Sequence, residues 1–123
     1  MPTVLLIEDN QENADMTIRI LQSAHYDVLH SLRGFDGARI ARRQRPQVIL
    51  IDFDLPDIDG RTMVLMLKKQ LGPDSPPILA VTARAGVAEM RLAEQFGCDG
   101  FVSKPFMPDE LLQVVEQVLR KTD

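Results

Sequence analysis

Five short apolar runs alternate along the chain with five stretches of helical periodicity. The runs are Val4–Ile7, Tyr26–Leu29, Val48–Ile51, Ile78–Val81 and Phe101–Val102. Those at 4–7, 48–51 and 78–81 are apolar at every position, as expected of central parallel strands covered by helices on both faces. The runs at 26–29 and 101–102 are mixed or short and suit sheet edges. In the intervening segments Ile18 and Leu21 share a face with Ala14, Val64 and Leu67 with Leu71, and Leu111 with Val115 and Val118. All of these pairs lie at helical spacing. Pro108, Asp109 and Glu110 open the last helix, placing a proline in its first turn and acids at its positive dipole end, and Arg120 and Lys121 close it. Gly34 and Gly97 mark a helix start and a helix end.

Strict strand–helix alternation with connections of this length predicts an open parallel sheet with right-handed crossovers. With the first, third and fourth strands central, the expected strand order is 2-1-3-4-5. That is a flavodoxin-like, doubly wound α/β fold of five βα units, a single domain over residues 1–123.

Composition narrows the class without naming the chemistry. The chain is 45% hydrophobic and 26% charged, ordinary for a globular protein. A lone Cys98 excludes an internal disulfide and fits a reducing compartment. It reads as a small packing residue, since no His stands near it in sequence to activate it. No leader segment is expected, and no apolar run approaches the roughly 18 residues of a membrane helix. The expected location is the cytoplasm, with no membrane contact. A net charge of −4 argues against direct DNA binding. One basic cluster stands apart: Arg39, Arg42, Arg43 and Arg45 crowd the last turns of a predicted helix. There they suit the negative end of the dipole, the alternative being an anion-binding patch.

In a sheet of this order, ligands bind beyond the carboxyl ends of the strands. The residues found there are Glu8 and Asp9 after the first run, Asp52 and Asp54 after the third, Thr82 after the fourth, and Ser103 and Lys104 after the fifth. Taken singly, an Asp after a strand is an ordinary cap for the next turn or helix, and a Lys before a Pro an ordinary solvated side chain. Their convergence on one edge changes that reading. Crowded carboxylates hold a divalent cation or share a proton. Oxygen-only ligation points to a hard ion such as magnesium, with manganese able to stand in. A carboxylate beside such an ion, faced by an amine and a hydroxyl, suits a phosphoryl group. No GxxxxGK[ST] or GxGxxG loop is present, so the expected donor is a phosphoprotein or small phosphate compound rather than ATP.

The segments Ile7-Glu8-Asp9-Asn10, Val48 to Gly60 (with Asp52-Phe53-Asp54-Leu55-Pro56), Val81-Thr82-Ala83 and Phe101-Val102-Ser103-Lys104-Pro105 resemble the receiver domain of bacterial two-component response regulators, of the stand-alone type. The resemblance implies that Asp52 is the phospho-acceptor. It also implies that Asp9, Asp52 and the backbone carbonyl of Asp54 ligate magnesium, with Glu8 acting through water. Thr82 and Lys104 would hold phosphoryl oxygens, Lys104–Pro105 would be cis, and Phe101 would swing inward as Thr82 moves. The implied donor is a sensor histidine kinase or histidine phosphotransfer protein. Output would run through contact with a downstream protein target, since the chain stops after the last helix unless it is a piece of something larger. A monomer or weak dimer through the 86–120 face is expected, with the thinly apolar segment Val87–Phe96 as the responsive element. Asp54 and Arg84 are expected to meet over the mouth of the site and set the phosphoryl lifetime. The chain would be no enzyme beyond catalysing its own phosphorylation and slow dephosphorylation.

Two departures from the family pattern stand out: Phe101 where a Tyr is common, and an acid at position 54. One alternative is a haloacid-dehalogenase-like phosphatase built on Asp52-Phe53-Asp54. Against it, that pair ends the third run rather than the first, and Glu8 and Asp9 precede it. A flavin-binding module would need a hydroxyl-rich loop after the first strand and stacking aromatics, and the chain has one Tyr and no Trp.

Overall fold

Alternate residues of each central strand face opposite sides of the sheet, and each side finds its own helices. The computed structural model describes residues 1–83 and 86–121. In chain order these form β1 (Thr3–Ile7), α1 (Gln11–Ser23), β2 (Asp27–Ser31), α2 (Gly34–Gln44), β3 (Val48–Asp52), α3 (Gly60–Leu71), a 3-10 turn (Gly72–Asp74), β4 (Ile78–Thr82), α4 (Val87–Gln95), β5 (Gly100–Ser103) and α5 (Pro108–Lys121). The strands pair in parallel in the order β2-β1-β3-β4-β5, as expected of the flavodoxin-like fold.

Leu5, Ile7, Ile49, Ile51, Ile78 and Ala80 meet α2, α3 and α4 in one core. Val4, Leu6, Val48, Leu50, Leu79 and Val81 meet α1 and α5 in the other. The period-two alternation of strands thus becomes two cores, and apolar runs with no polar face follow from both sides being covered. Each fully buried Leu or Ile adds about 1.5–3 kcal/mol relative to exposure. The predicted helix stripes at Ala14/Leu21, Val64/Leu67/Leu71 and Leu111/Val115/Val118 are all buried, with Ile18 at the margin.

Several strand ends differ from the sequence expectation. Asp52, Thr82 and Ser103 are the last residues of their strands rather than the first residues beyond them, and β2 begins after Tyr26. Ladder partners carry the pairing further than apolar character does: Asp52 sits opposite Val81, and Thr82 opposite Ser103. Helix starts follow local chemistry. Asn10 caps α1 by accepting from the Asn13 N–H at 2.9 Å, and Asp59 caps α3 through the Arg61 N–H at 2.8 Å.

Candidate functional site

β3 ends on Asp52, whose residue is only 3% exposed. Its Oδ1 accepts the Asp54 N–H at 3.0 Å, and its Oδ2 accepts from Lys104 Nζ at 3.2 Å. Glu8 follows β1, is equally buried, and accepts from the same ammonium at 3.2 Å through Oε2. Asp9 is exposed beside them. Glu8, Asp9 and Asp52 each bring one carboxylate oxygen within 4.8 Å of the others. Lys104 reaches in from just past β5, where its own N–H binds the Thr82 carbonyl at 2.7 Å and its peptide to Pro105 is cis. Thr82 closes β4 and is buried.

The two buried acids are not equivalent. Burial pushes the Glu8 carboxyl up to about 7, and its hydrogen bond and charge contact with Asp52 push in the same direction, with Lys104 a partial offset. Burial alone would raise Asp52 too, but hydrogen bonds from Glu8 and the Asp54 N–H, with Lys104 beside it, bring it below the ordinary carboxylate value. Lys104 would lose its proton more readily in a buried site, yet the two acids hold its pKa above the usual value. One ammonium faces three carboxylates. An oxygen-only set with more charge than its cation neutralises is suited to a hard divalent ion.

Asp54 does not join this cluster, which corrects the expectation that its carboxylate crowds the others. It is exposed and lines a small cleft of about 60 Å³ with Phe53, Asp59, Arg61, Thr82 and Glu89. Arg84, the other half of the expected gate, lies outside the described residues. Phe101 is half-buried against the core that includes Ala93 of α4. Within α4 only Ala93 is buried, and Val87 and Met90 are exposed.

Several site residues escaped sequence reading. Asp57 accepts the Gly34 N–H at 2.9 Å and the Phe35 N–H at 3.0 Å, tying the loop after Asp52 to the start of α2. Gly60 abuts Phe53 so closely that an added Cβ would lie 2.6 Å from the Phe53 Cα. His30 Nε2 is 3.0 Å from the Glu8 carbonyl oxygen. A cavity of about 420 Å³ beside Asp52 and Lys104 is lined by Met16, Thr17, Ala83, Pro105 and Phe106. Asp57 and Gly60 carried weak signals as acid and glycine near helix starts, but their partners are set by the fold.

Comparison with known proteins agrees with this geometry. The family model of the response regulator receiver domain matches residues 4–116. The chain is 32% identical over its full length to the DNA-binding dual master transcriptional regulator RpaA of Synechocystis sp., of which it spans 51%. It is 27% identical over 95% of its length to the polar-differentiation response regulator DivK of Brucella anthropi, of which it covers 95%. A solved receiver domain of a sensor histidine kinase from Pseudomonas aeruginosa, with magnesium coordinated in its active site cleft, is 31% identical with a TM-score of 0.87, over 97% of this chain and 98% of that one. The haloacid-dehalogenase-like alternative finds no support in these matches. With its acidic pocket at the carboxyl edge of a 2-1-3-4-5 sheet, the chain belongs to the response regulator receiver family of two-component signalling.

Proposed function

We propose that Asp52 is the phospho-acceptor of this chain, taking its phosphoryl group from a phosphohistidine on a sensor kinase or phosphotransfer protein. The observation that carries this is the buried Asp52 carboxylate, 3.2 Å from Lys104 Nζ and one of three acids within 4.8 Å of one another. Asp9, Asp52 and the Asp54 carbonyl would hold magnesium, with Glu8 acting through water. A bound divalent ion supplies charge neutralisation of phosphoryl oxygens.

A carboxylate oxygen of Asp52 attacks phosphorus as the donor's N–P bond breaks, and the electron pair leaves with the imidazole. Asp52 is suited to attack because its neighbours keep it ionised. Lys104 orients a phosphoryl oxygen by charge, and the Thr82 hydroxyl contributes a hydrogen bond at the end of β4. Phe101 lies on the strand next to Thr82 and is suited to follow it. Asp54, at the adjoining cleft, would modulate the lifetime of the acyl phosphate.

Output would pass by protein contact, with Val87–Phe96 as the responsive segment, to a downstream target in the cytoplasm. Among the described residues no helix is long and apolar enough to cross a membrane. The test is intact-mass measurement after acetyl phosphate with magnesium. One phosphoryl adduct is expected on the wild type and none on Asp52→Asn. An adduct that persists on the variant overturns the assignment.

A further inference from the structure

The charge of this chain is unevenly spread. Residues 33–45 carry five arginines and one acid, Asp36, and α3 carries Arg61, Lys68 and Lys69 with no acid. These two segments hold eight of the fourteen cations at a net +7, so the rest of a chain of net −4 stands at −11. Arg61 and Lys68 are engaged on the far side of α3, over the Phe96 ring and with Asp99. Arg39 pairs with Asp36. Among the described residues, Arg42, Arg43, Arg45 and Lys69 have no carboxylate partner.

A groove of about 360 Å³ runs between α2 and α3, lined by Phe35, Ala38, Arg39, Arg42, Met66 and Gln70. Phe35 is 52% exposed, an unusual position for a large aromatic side chain outside an interface. An apolar trough with a basic rim is complementary to a helix with one apolar face and acidic flanks. Polyphosphate backbones would use the rim but leave Phe35 and Met66 unfilled. A twofold contact with a second copy would set the arginines of both copies against each other.

We propose that the α2–α3 groove is a docking site for an acidic amphipathic helix of a partner protein. The site lies away from Lys104 and needs no phosphoryl group on Asp52, so its test is independent of the phospho-acceptor reading. The probes are fluorescein-labelled helical peptides of about 18 residues, roughly the span that would cover both helices. They carry Leu on one face and Glu on the other, with varied apolar spacing. Anisotropy reads affinity, and amide shifts in 1H–15N spectra of the full chain map the contact.

Saturable binding is expected for at least one peptide, with shifts centred on α2 and α3. Arg42→Glu/Arg43→Glu should weaken it about tenfold, as should raising salt from about 50 to about 200 mM, through loss of charge complementarity. Phe35→Ser should weaken it several-fold, and carries the test if the charge reversal disturbs folding. No binding across the panel, equal binding of a scrambled peptide, or shifts centred elsewhere overturns the proposal. So does tighter binding of duplex DNA or phosphatidylserine vesicles, or self-association lost in Arg42→Glu, each of which assigns the face to another occupant.

Discussion

Lys104 Nζ lies 3.2 Å from both Asp52 Oδ2 and Glu8 Oε2. A single ammonium is therefore shared by two buried acids, one ending β3 and one just past β1, that also hydrogen-bond each other. Removing it leaves two carboxylates without a cation, and breaking a pair this buried costs more than a surface bridge would. Lys104→Met should lower metal-free stability by about 1–3 kcal/mol. Urea unfolding in chelator measures it. An unchanged midpoint would mean that the two acids settle the conflict by sharing a proton.

Glu8 bears most of that conflict. Its folded pKa of about 7 lies above its ordinary 4.5, so the folded state binds the proton more tightly than the unfolded chain. The stability this confers is complete below pH 4.5 and is lost as pH rises through about 7. Asp52 is shifted the other way, so its contribution is present above its ordinary 3.8 and lost only at lower pH. Between these limits the metal-free wild type should lose on the order of 2–3 kcal/mol with rising pH. Glu8→Gln should flatten that slope and be the more stable protein at pH 8. Denaturant midpoints at pH 5 and pH 8 decide it, and parallel slopes would remove Glu8 as the cause. Counting crowded acids alone suggests Asp52→Asn as the stabilising change. The hydrogen bonds around Asp52 point to Glu8 instead.

Gly60 packs on Phe53, the residue after Asp52, with no room for a methyl group: a Cβ would lie 2.4 Å from Phe53 Cδ1 and 2.6 Å from its backbone Cα. Gly60→Ala must shift the loop that carries Asp54. It should cost about 1–3 kcal/mol. It should also slow acetyl-phosphate labelling while leaving Asp52 the sole site labelled. Thermal melting and timed mass spectra report the two effects, and wild-type values in both would show that the loop yields freely.

α4 buries only Ala93 and follows Gly86, whose φ is +125°. An element with so little burial opens at low free energy and responds readily to changes at its margin. Beryllofluoride with magnesium should alter hydrogen-exchange protection over 87–103, the stretch from α4 through β5. Changes restricted to 39–45 would exclude α4 as the responsive element.

The fold and the acid pocket were legible in the sequence because both rest on short-range rules. Unbroken apolar runs state that a strand is covered on both faces, and in a parallel sheet every strand delivers its next residue to the same edge. Glu8, Asp9, Asp52, Thr82 and Lys104 could therefore be placed together without coordinates. What the tertiary structure alone decided depends on distances between segments far apart in the chain. Lys104 bridges Glu8 and Asp52, two buried acids of which one resists its charge and the other keeps it. Asp54 turns to a separate cleft although it lies two residues from Asp52, because its N–H bonds back to that carboxylate and its side chain points elsewhere. Asp57 reaches α2 across 23 residues of sequence, and the groove between α2 and α3 exists only once both helices lie on the same face of the sheet. Periodicity tells which way a side chain faces; only packing brings it to a particular partner, and the local electrostatics follow from that partner.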